Sequence, residues 1–210
     1  MEPKSERLRT PRAAGMAGAV FALLLAAAIV LMRIAVPSGN VADAAVDPDE
    51  RWAVRTALEI VPFAGISFLW FMGALRTQVG EVEDRFVATV FLGSGLVFVA
   101  TLFGAAAAAG TVLNEGRPSD FGRHYAYTLL TTYALRMAAV FIFTASTIGH
   151  RLGVFPRPLA LIGYLAGLIL LVVGSSAPWS ELVFPAWVLI VSVHILRIGL
   201  RQRSGAEGKG

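Results

Sequence analysis

The sequence predicts an all-α membrane protein, a polytopic transmembrane helix bundle of about six spans with both termini cytoplasmic. Three observations carry that prediction. Hydrophobic residues make up 56% of the 210 positions and charged residues only 15%, whereas soluble chains carry about 25% charged residues. The mean hydropathy is correspondingly high, +0.69. The apolar residues fall in blocks of roughly 20, the length a helix needs to cross a hydrocarbon core about 30 Å thick, and basic residues crowd the alternate connections between blocks.

Residues 1–12 read as a basic tail. The first span covers about 13–36: Ala13 to Met32 carries no charge, and Arg33 follows near the far end, where it can snorkel to water. The second span, about 53–75, contains Glu59 three residues before Pro62. The third, about 86–109, fills the uncharged interval between Arg85 and Glu115. The fourth, about 124–149, contains Arg136. The fifth and sixth, 158–174 and 180–197, are the shortest. A flexible basic tail takes up 199–210, so 13–198 forms one transmembrane domain.

Orientation follows from the basic residues. With a cytoplasmic N-terminus, the inner segments hold Lys4, Arg7, Arg9, Arg12, Arg76, Arg85, Arg151, Arg157, Arg197, Arg201, Arg203 and Lys209. The outer segments hold Arg51, Arg55, Arg117 and Arg123. That asymmetry obeys the positive-inside rule and places the chain in the cell membrane. The first outer loop, "PSGNVADAAVDPDER", is acidic but lacks the central glycine of a calcium loop, and reads as solvated. "ADA" at 42–44 imitates a signal-peptide cleavage site. It lies ten residues beyond a twenty-residue run, which is too long for a signal-peptide core, so the first span is expected to be retained.

Several functions are excluded or disfavoured by the residues. There is no cysteine, which removes disulfides, iron–sulfur clusters and thiolate zinc sites. No Walker loop, dinucleotide fingerprint or HExxH occurs, and no metal or cofactor is expected. The net charge of +4 reflects topology rather than nucleic-acid binding. "LGSG" at 92–95 with His194 invites comparison with rhomboid proteases, but the position two before the serine is Leu92 instead of glycine, and the serine lies on the third span. His150 and His194 lie toward the same side, yet a haem needs axial ligands facing each other across the bundle, and an interfacial histidine is the simpler reading.

Small residues mark close helix packing. Gly163 and Gly167 in "GYLAG" have the small-xxx-small spacing, and Gly93, Gly95 and the run Ala105–Ala109 offer similar surfaces. They can serve within the bundle or between subunits. Trp52 and Trp179 fall at span boundaries as interface anchors. Glu59 before Pro62 and Glu181 before Pro185 look alike, but a three-helix duplication would pair the second span with the fifth, so no internal repeat follows.

The fourth span carries a polar stripe. At about 100° per residue, Tyr125, Thr128, Thr132, Arg136, Thr147 and His150 share a face, interrupted by Ala139 and Phe143. Such a stripe is expected to face the bundle interior, and intramembrane charges are expected to pair there. Arg55 and Arg33 compete as partners for Glu59, but Arg136 is the more buried in sequence. Pro62 also leaves the Leu58 carbonyl without its usual donor. The expectation is a buried polar cluster of Glu59, Arg136, Pro62, Thr132, Thr128, Tyr125 and Arg33.

The run "VPFAGISFLWFMGALR…GEVEDRFVATVFLGSGLVF", residues 61–98, resembles uncharacterised actinobacterial multi-pass membrane proteins of about this length. The resemblance covers the helical region without the tails and implies a membrane location, with no activity attached. Two functional classes follow from the sequence. One is a non-enzymatic accessory or assembly component, embedded in the lipid bilayer and meeting a second copy or another membrane protein. The other is a small-solute or proton-coupled transporter that uses Glu59 in a cavity open to the outside.

The topology is checked by reporter fusions after Asn40, Gly116 and Ser176, all of which are expected to read outside. A cytoplasmic signal at Gly116 contradicts it.

Overall fold

The computed structural model describes residues 10–35, 51–79, 85–114, 120–174 and 179–207, and the regular structure among them is helical throughout. The helices are α1 (Thr10–Ala35), α2 (Arg51–Val79), α3 (Arg85–Asn114), α4 (Asp120–Thr128), a π-helical segment (Leu129–Ala134), α5 (Leu135–Arg151), α6 (Arg157–Val172), a 3-10 turn (Ser180–Leu182) and α7 (Val183–Glu207). α4, the π segment and α5 follow one another without a break. The acidic segment 37–50, the "ADA" at 42–44 and the ends of the chain at 1–9 and 208–210 lie outside the described residues.

Among the described residues, five stretches are long and apolar enough to cross a membrane: Arg12–Ala35, Arg51–Arg76, Arg85–Leu113, Phe121–Arg151 and Ser180–Leu200. The stretch expected at 180–197 is one of them, and α7 runs on to Glu207 through residues expected as a flexible tail. The short helix is α6. Its 16 residues span about 24 Å at 1.5 Å per residue, less than a 30 Å core. Local chemistry sets both ends of α6. Pro156 is its extended N-cap and Pro158 lies in the first turn, where a missing N–H costs nothing. Gly153, at φ 70°, closes the preceding helix in the left-handed conformation that glycine tolerates, and the Phe155 N–H donates to the Gly149 carbonyl at 2.8 Å.

Prolines do not break the other helices. α2 continues through Pro62. Pro185 occupies the first turn of α7 and is fully buried, so it acts as a helix-start residue rather than a kink.

Neighbouring helices pack in chain order, α1 on α2, α2 on α3, α3 on α4 and α5, α5 on α6 and α6 on α7, and α7 returns to α1. Where five of them converge, Phe21, Phe68, Phe98, Phe141 and Phe184 meet, all fully or almost fully buried, with Phe71 and Phe91 beside them. Phe68 lies at the middle of this group. Its ring centroid is 4.8 Å from Phe21, 4.9 Å from Phe141, 5.2 Å from Phe98 and 5.7 Å from Phe184, the tilted and edge-on arrangements that aromatic quadrupoles favour. Hydrocarbon gives helices no hydrophobic reason to associate, so dense packing of this kind has to hold them.

Glycines let the helices approach. A side chain at Gly18 would run into Phe71 and Ser192, one at Gly163 into Ser146 and Trp187, and one at Gly167 into the Phe143 ring. The "GYLAG" spacing thus lies inside the bundle, against α5 and α7. Gly95 packs on Met72 and Phe141, whereas Gly93 faces outward with open space above it. The outer surface carries Met16, Leu23, Phe63, Trp70, Leu161 and Leu165, all large and exposed, which suits surrounding hydrocarbon.

Phe68→Ala should lower the thermal midpoint of the detergent-solubilised protein well beyond Phe63→Ala, since core Phe→Ala changes cost about 3–5 kcal/mol while Phe63 is 65% exposed. Equal losses would remove the phenylalanine group from its central place.

Candidate functional site

Residues at one end of the bundle, where α1 finishes, build the candidate site. Arg33 sits in the last turn of α1, where the helix dipole favours a cation. The chain reaches it again at the start of α7. There Trp179 adopts φ 70°, the single positive φ of a non-glycine among the described residues, a conformation that costs a bulky residue of order 1–3 kcal/mol. The surroundings fix this turn. The Ser180 hydroxyl donates to the Gly174 carbonyl at 2.6 Å, and the Leu182 N–H donates to the Trp179 carbonyl at 3.0 Å.

This turn brings two side chains to Arg33. The Arg33 Nη2 donates to both Oε1 and Oε2 of Glu181, each at 2.9 Å. The guanidinium carbon also stands 5.6 Å from the centre of the Trp179 ring, within cation–π range. The two charged side chains are 13% and 12% exposed, so the pair is largely desolvated and each charge depends on the other.

A cavity of about 120 Å³ opens beside the pair, between α1, α2, α3 and α4. Arg33, Glu181 and Tyr127 are its polar residues. The space exists because alanine lines it from four helices: Ala28, Ala57, Ala105, Ala106, Ala109 and Ala126. The alanine run expected to serve helix packing therefore leaves room rather than filling it.

The expected polar cluster is arranged differently. Arg33 belongs to the site, but its partner is Glu181. Glu59 is exposed, on the same face of α2 as Arg55, Pro62, Phe63, Ile66 and Trp70, and makes no hydrogen bond or ion pair among the described residues. Arg136 is exposed too, and its Nη1 donates to the Thr132 carbonyl one turn back at 2.8 Å. The structure does not bring Glu59 and Arg136 together. The cause is the inward face of each helix. On α2 that face is Ala57, Val61, Ala64 and Phe68; on the fourth span it is Thr131, Ala134, Ala138, Ile142 and Ala145. Small and apolar residues take the interior, so the stripe at Tyr125, Thr128 and Arg136 turns outward, with Thr132 half-buried. Ala139, expected to interrupt that stripe, lies in the core.

Threonines tolerate apolar surroundings by back-bonding. Thr131 donates to the Tyr127 carbonyl at 2.9 Å and Thr147 to the Phe143 carbonyl at 2.8 Å, with Tyr164 hydroxyl 3.1 Å from Thr147. The π segment, where the helix widens to i→i+5 bonding, holds Thr131 and Thr132; such segments recur at functional sites.

Other candidate chemistry is dispersed. His194 Nε2 lies 3.2 Å from the Val154 carbonyl and its ring packs edge-on to Phe155, while His150 is exposed. The Ser94 hydroxyl donates to the Phe91 carbonyl in its own helix. No group of three or more acidic or histidine side chains suited to a metal ion forms among the described residues.

Comparison with protein-family models, with curated proteins and with solved structures returns no match.

Removing one member of a buried ion pair strands the other charge, at a cost of about 3–5 kcal/mol, whereas replacing both with apolar residues is often neutral. Arg33→Met and Glu181→Leu should each destabilise the solubilised protein strongly, and the double variant should regain most of the loss. Strictly additive losses would show that the pair is not a unit.

Proposed function

We propose that the protein is a non-enzymatic multi-pass component of the cell membrane, an accessory or assembly subunit, with six spans and both termini cytoplasmic. It stands, on this reading, with the actinobacterial multi-pass proteins that residues 61–98 resemble. The observation that carries the proposal is where the charges face. Two interior groups suited to chemistry among the described residues are engaged in holding the fold: the Arg33–Glu181 ion pair, and His194 against a backbone carbonyl. Glu59 instead lies on the outer face of α2, beside Phe63 and Ile66. A charge exposed to hydrocarbon at the centre of a span costs about 2.5–3.5 kcal/mol by insertion measurements. A neighbouring membrane helix that presents a donor to Glu59 removes that cost, so the outer face of α2 is the assembly surface.

A second reading has one observation in its favour. The alanine-lined cavity beside Arg33 is the kind of space a small-solute carrier needs, and the phenylalanine group closes off the centre of the bundle. Glu59 does not line that cavity, so a carrier built on this fold works through Arg33 and Glu181.

A photoreactive residue placed at Phe63 should, in native membranes, yield a protein–protein adduct that is lost in the Glu59→Gln background. The same residue at Leu161, which is 68% exposed on α6, serves as control. Adducts to lipid alone at both positions would sink the assembly reading.

A further inference from the structure

The cavity beside Arg33 is too apolar for an ion and too well shaped to ignore. A buried water needs two to four polar partners, and an apolar engineered cavity of 150 Å³ stays dry and accepts benzene. The cavity here, about 120 Å³, has similar capacity and a wall made mainly of Ala28, Ala57, Ala105 and Ala106 together with leucine and valine. Apart from Arg33, Glu181 and Tyr127, that wall is apolar and suits hydrocarbon.

One end differs. An arginine has five N–H donors. In Arg33 the Nη2 nitrogen serves Glu181, and no hydrogen bond from Nη1 or Nε to a described residue is made. The guanidinium carbon stands 5.6 Å from the Trp179 ring centre, and the remaining N–H donors lie in the guanidinium plane. The Arg33–Glu181 pair is neutral as a unit. An added carboxylate or phosphate would place a second negative charge near Glu181 in a desolvated setting, and an added cation would compete with Arg33. An uncharged oxygen acceptor meets neither penalty. A short stretch of hydrocarbon ending in a carbonyl, as at the beginning of an acyl ester, meets both conditions.

We propose that this cavity binds the carbonyl end of one acyl chain of an ester lipid, with the ester oxygen on the Arg33 donors that no described residue takes and the first methylenes between the alanines of α1, α2 and α3. Arg33 lies two residues from the end of α1, and the neighbouring cluster of Ala35, Ala53 and Val54 joins the end of α1 to the beginning of α2. An ester at the boundary of the hydrocarbon layer reaches Arg33 without crossing the core. The proposal stands apart from the assembly reading, because Glu59 and the outer face of α2 take no part in it.

The test uses the full chain in phosphatidylcholine vesicles. One arm contains a phosphatidylcholine with a diazirine close to the carbonyl of one chain. The other contains the methyl ester of palmitic acid with the same diazirine. After irradiation, labelled residues are mapped by mass spectrometry. Label is expected on Ala28, Ala57 or Ala105, with loss of that label, and retention of label at the exposed Leu161, in Ala105→Leu. Ala106→Leu fills the same cavity from a half-buried position and replaces Ala105→Leu if that variant is not monodisperse. Arg33→Lys, which keeps the charge opposite Glu181 but reduces the donors, is expected to weaken cavity labelling. Cavity label in the phosphatidylcholine arm identifies a bilayer lipid as the occupant, and cavity label in the methyl ester arm alone identifies a free ester. Label confined to exposed residues in both arms, or cavity label unchanged by both filling variants, overturns the proposal.

Discussion

A charge withdrawn from water must find an opposite charge within reach, and the bundle meets this requirement between Arg33 and Glu181. That pair does more than neutralise itself. It joins the end of α1 to the beginning of α7, so it closes the circuit of helices. The strained turn at Trp179, the Ser180–Gly174 hydrogen bond and the cation–π contact of Trp179 with the guanidinium all serve to deliver Glu181 to its place. Without that delivery, Arg33 would be left in an apolar wall with no counter-charge.

The remaining architecture divides into a filled part and an open part. Five phenylalanines, one from each of α1, α2, α3, α5 and α7, interlock at the centre. On the side toward Arg33, alanines replace them, and the space is left as a cavity. Small side chains and large ones thus do opposite work in adjacent layers. Where glycine meets a bulky neighbour, as Gly167 meets Phe143, the helices close up. Where alanine faces alanine across four helices, they leave room.

Much of this was legible in the sequence, and the reasons for the rest are physical. Uninterrupted apolar runs locate the helices because length and hydropathy are local properties; α2, α3 and the fourth span all extend a few residues past the limits that charge placement suggested. The polar stripe of Tyr125, Thr128 and Arg136 was correctly periodic, but periodicity tells which residues share a face and not which face turns inward. That choice was made by Ala134, Ala138 and Ala145 on the opposite side, whose small size permits close packing. The true partner of Arg33 lies 148 positions away, and no local pattern reports such a distance. One signal was present: Glu181 is the sole acidic residue between Asp120 and Glu207, so an isolated acid at the start of an apolar span invited a partner. The run Ala105–Ala109 was equally ambiguous, since alanine permits either contact or vacancy until the facing residues are known.

The account rests on Arg33 being held by Glu181 and not by Glu59, and nuclear magnetic resonance of the arginine guanidinium groups tests that most directly. In protein reconstituted in nanodiscs with ¹⁵N-labelled arginine, the Arg33 Nη signals should be resolved by slow rotation about the guanidinium bonds and protected from exchange. Glu181→Gln should collapse them to the averaged signal of a free side chain, while Glu59→Gln should leave them unchanged. An averaged Arg33 signal in the unmodified protein, or a collapse produced by Glu59→Gln, would contradict the account.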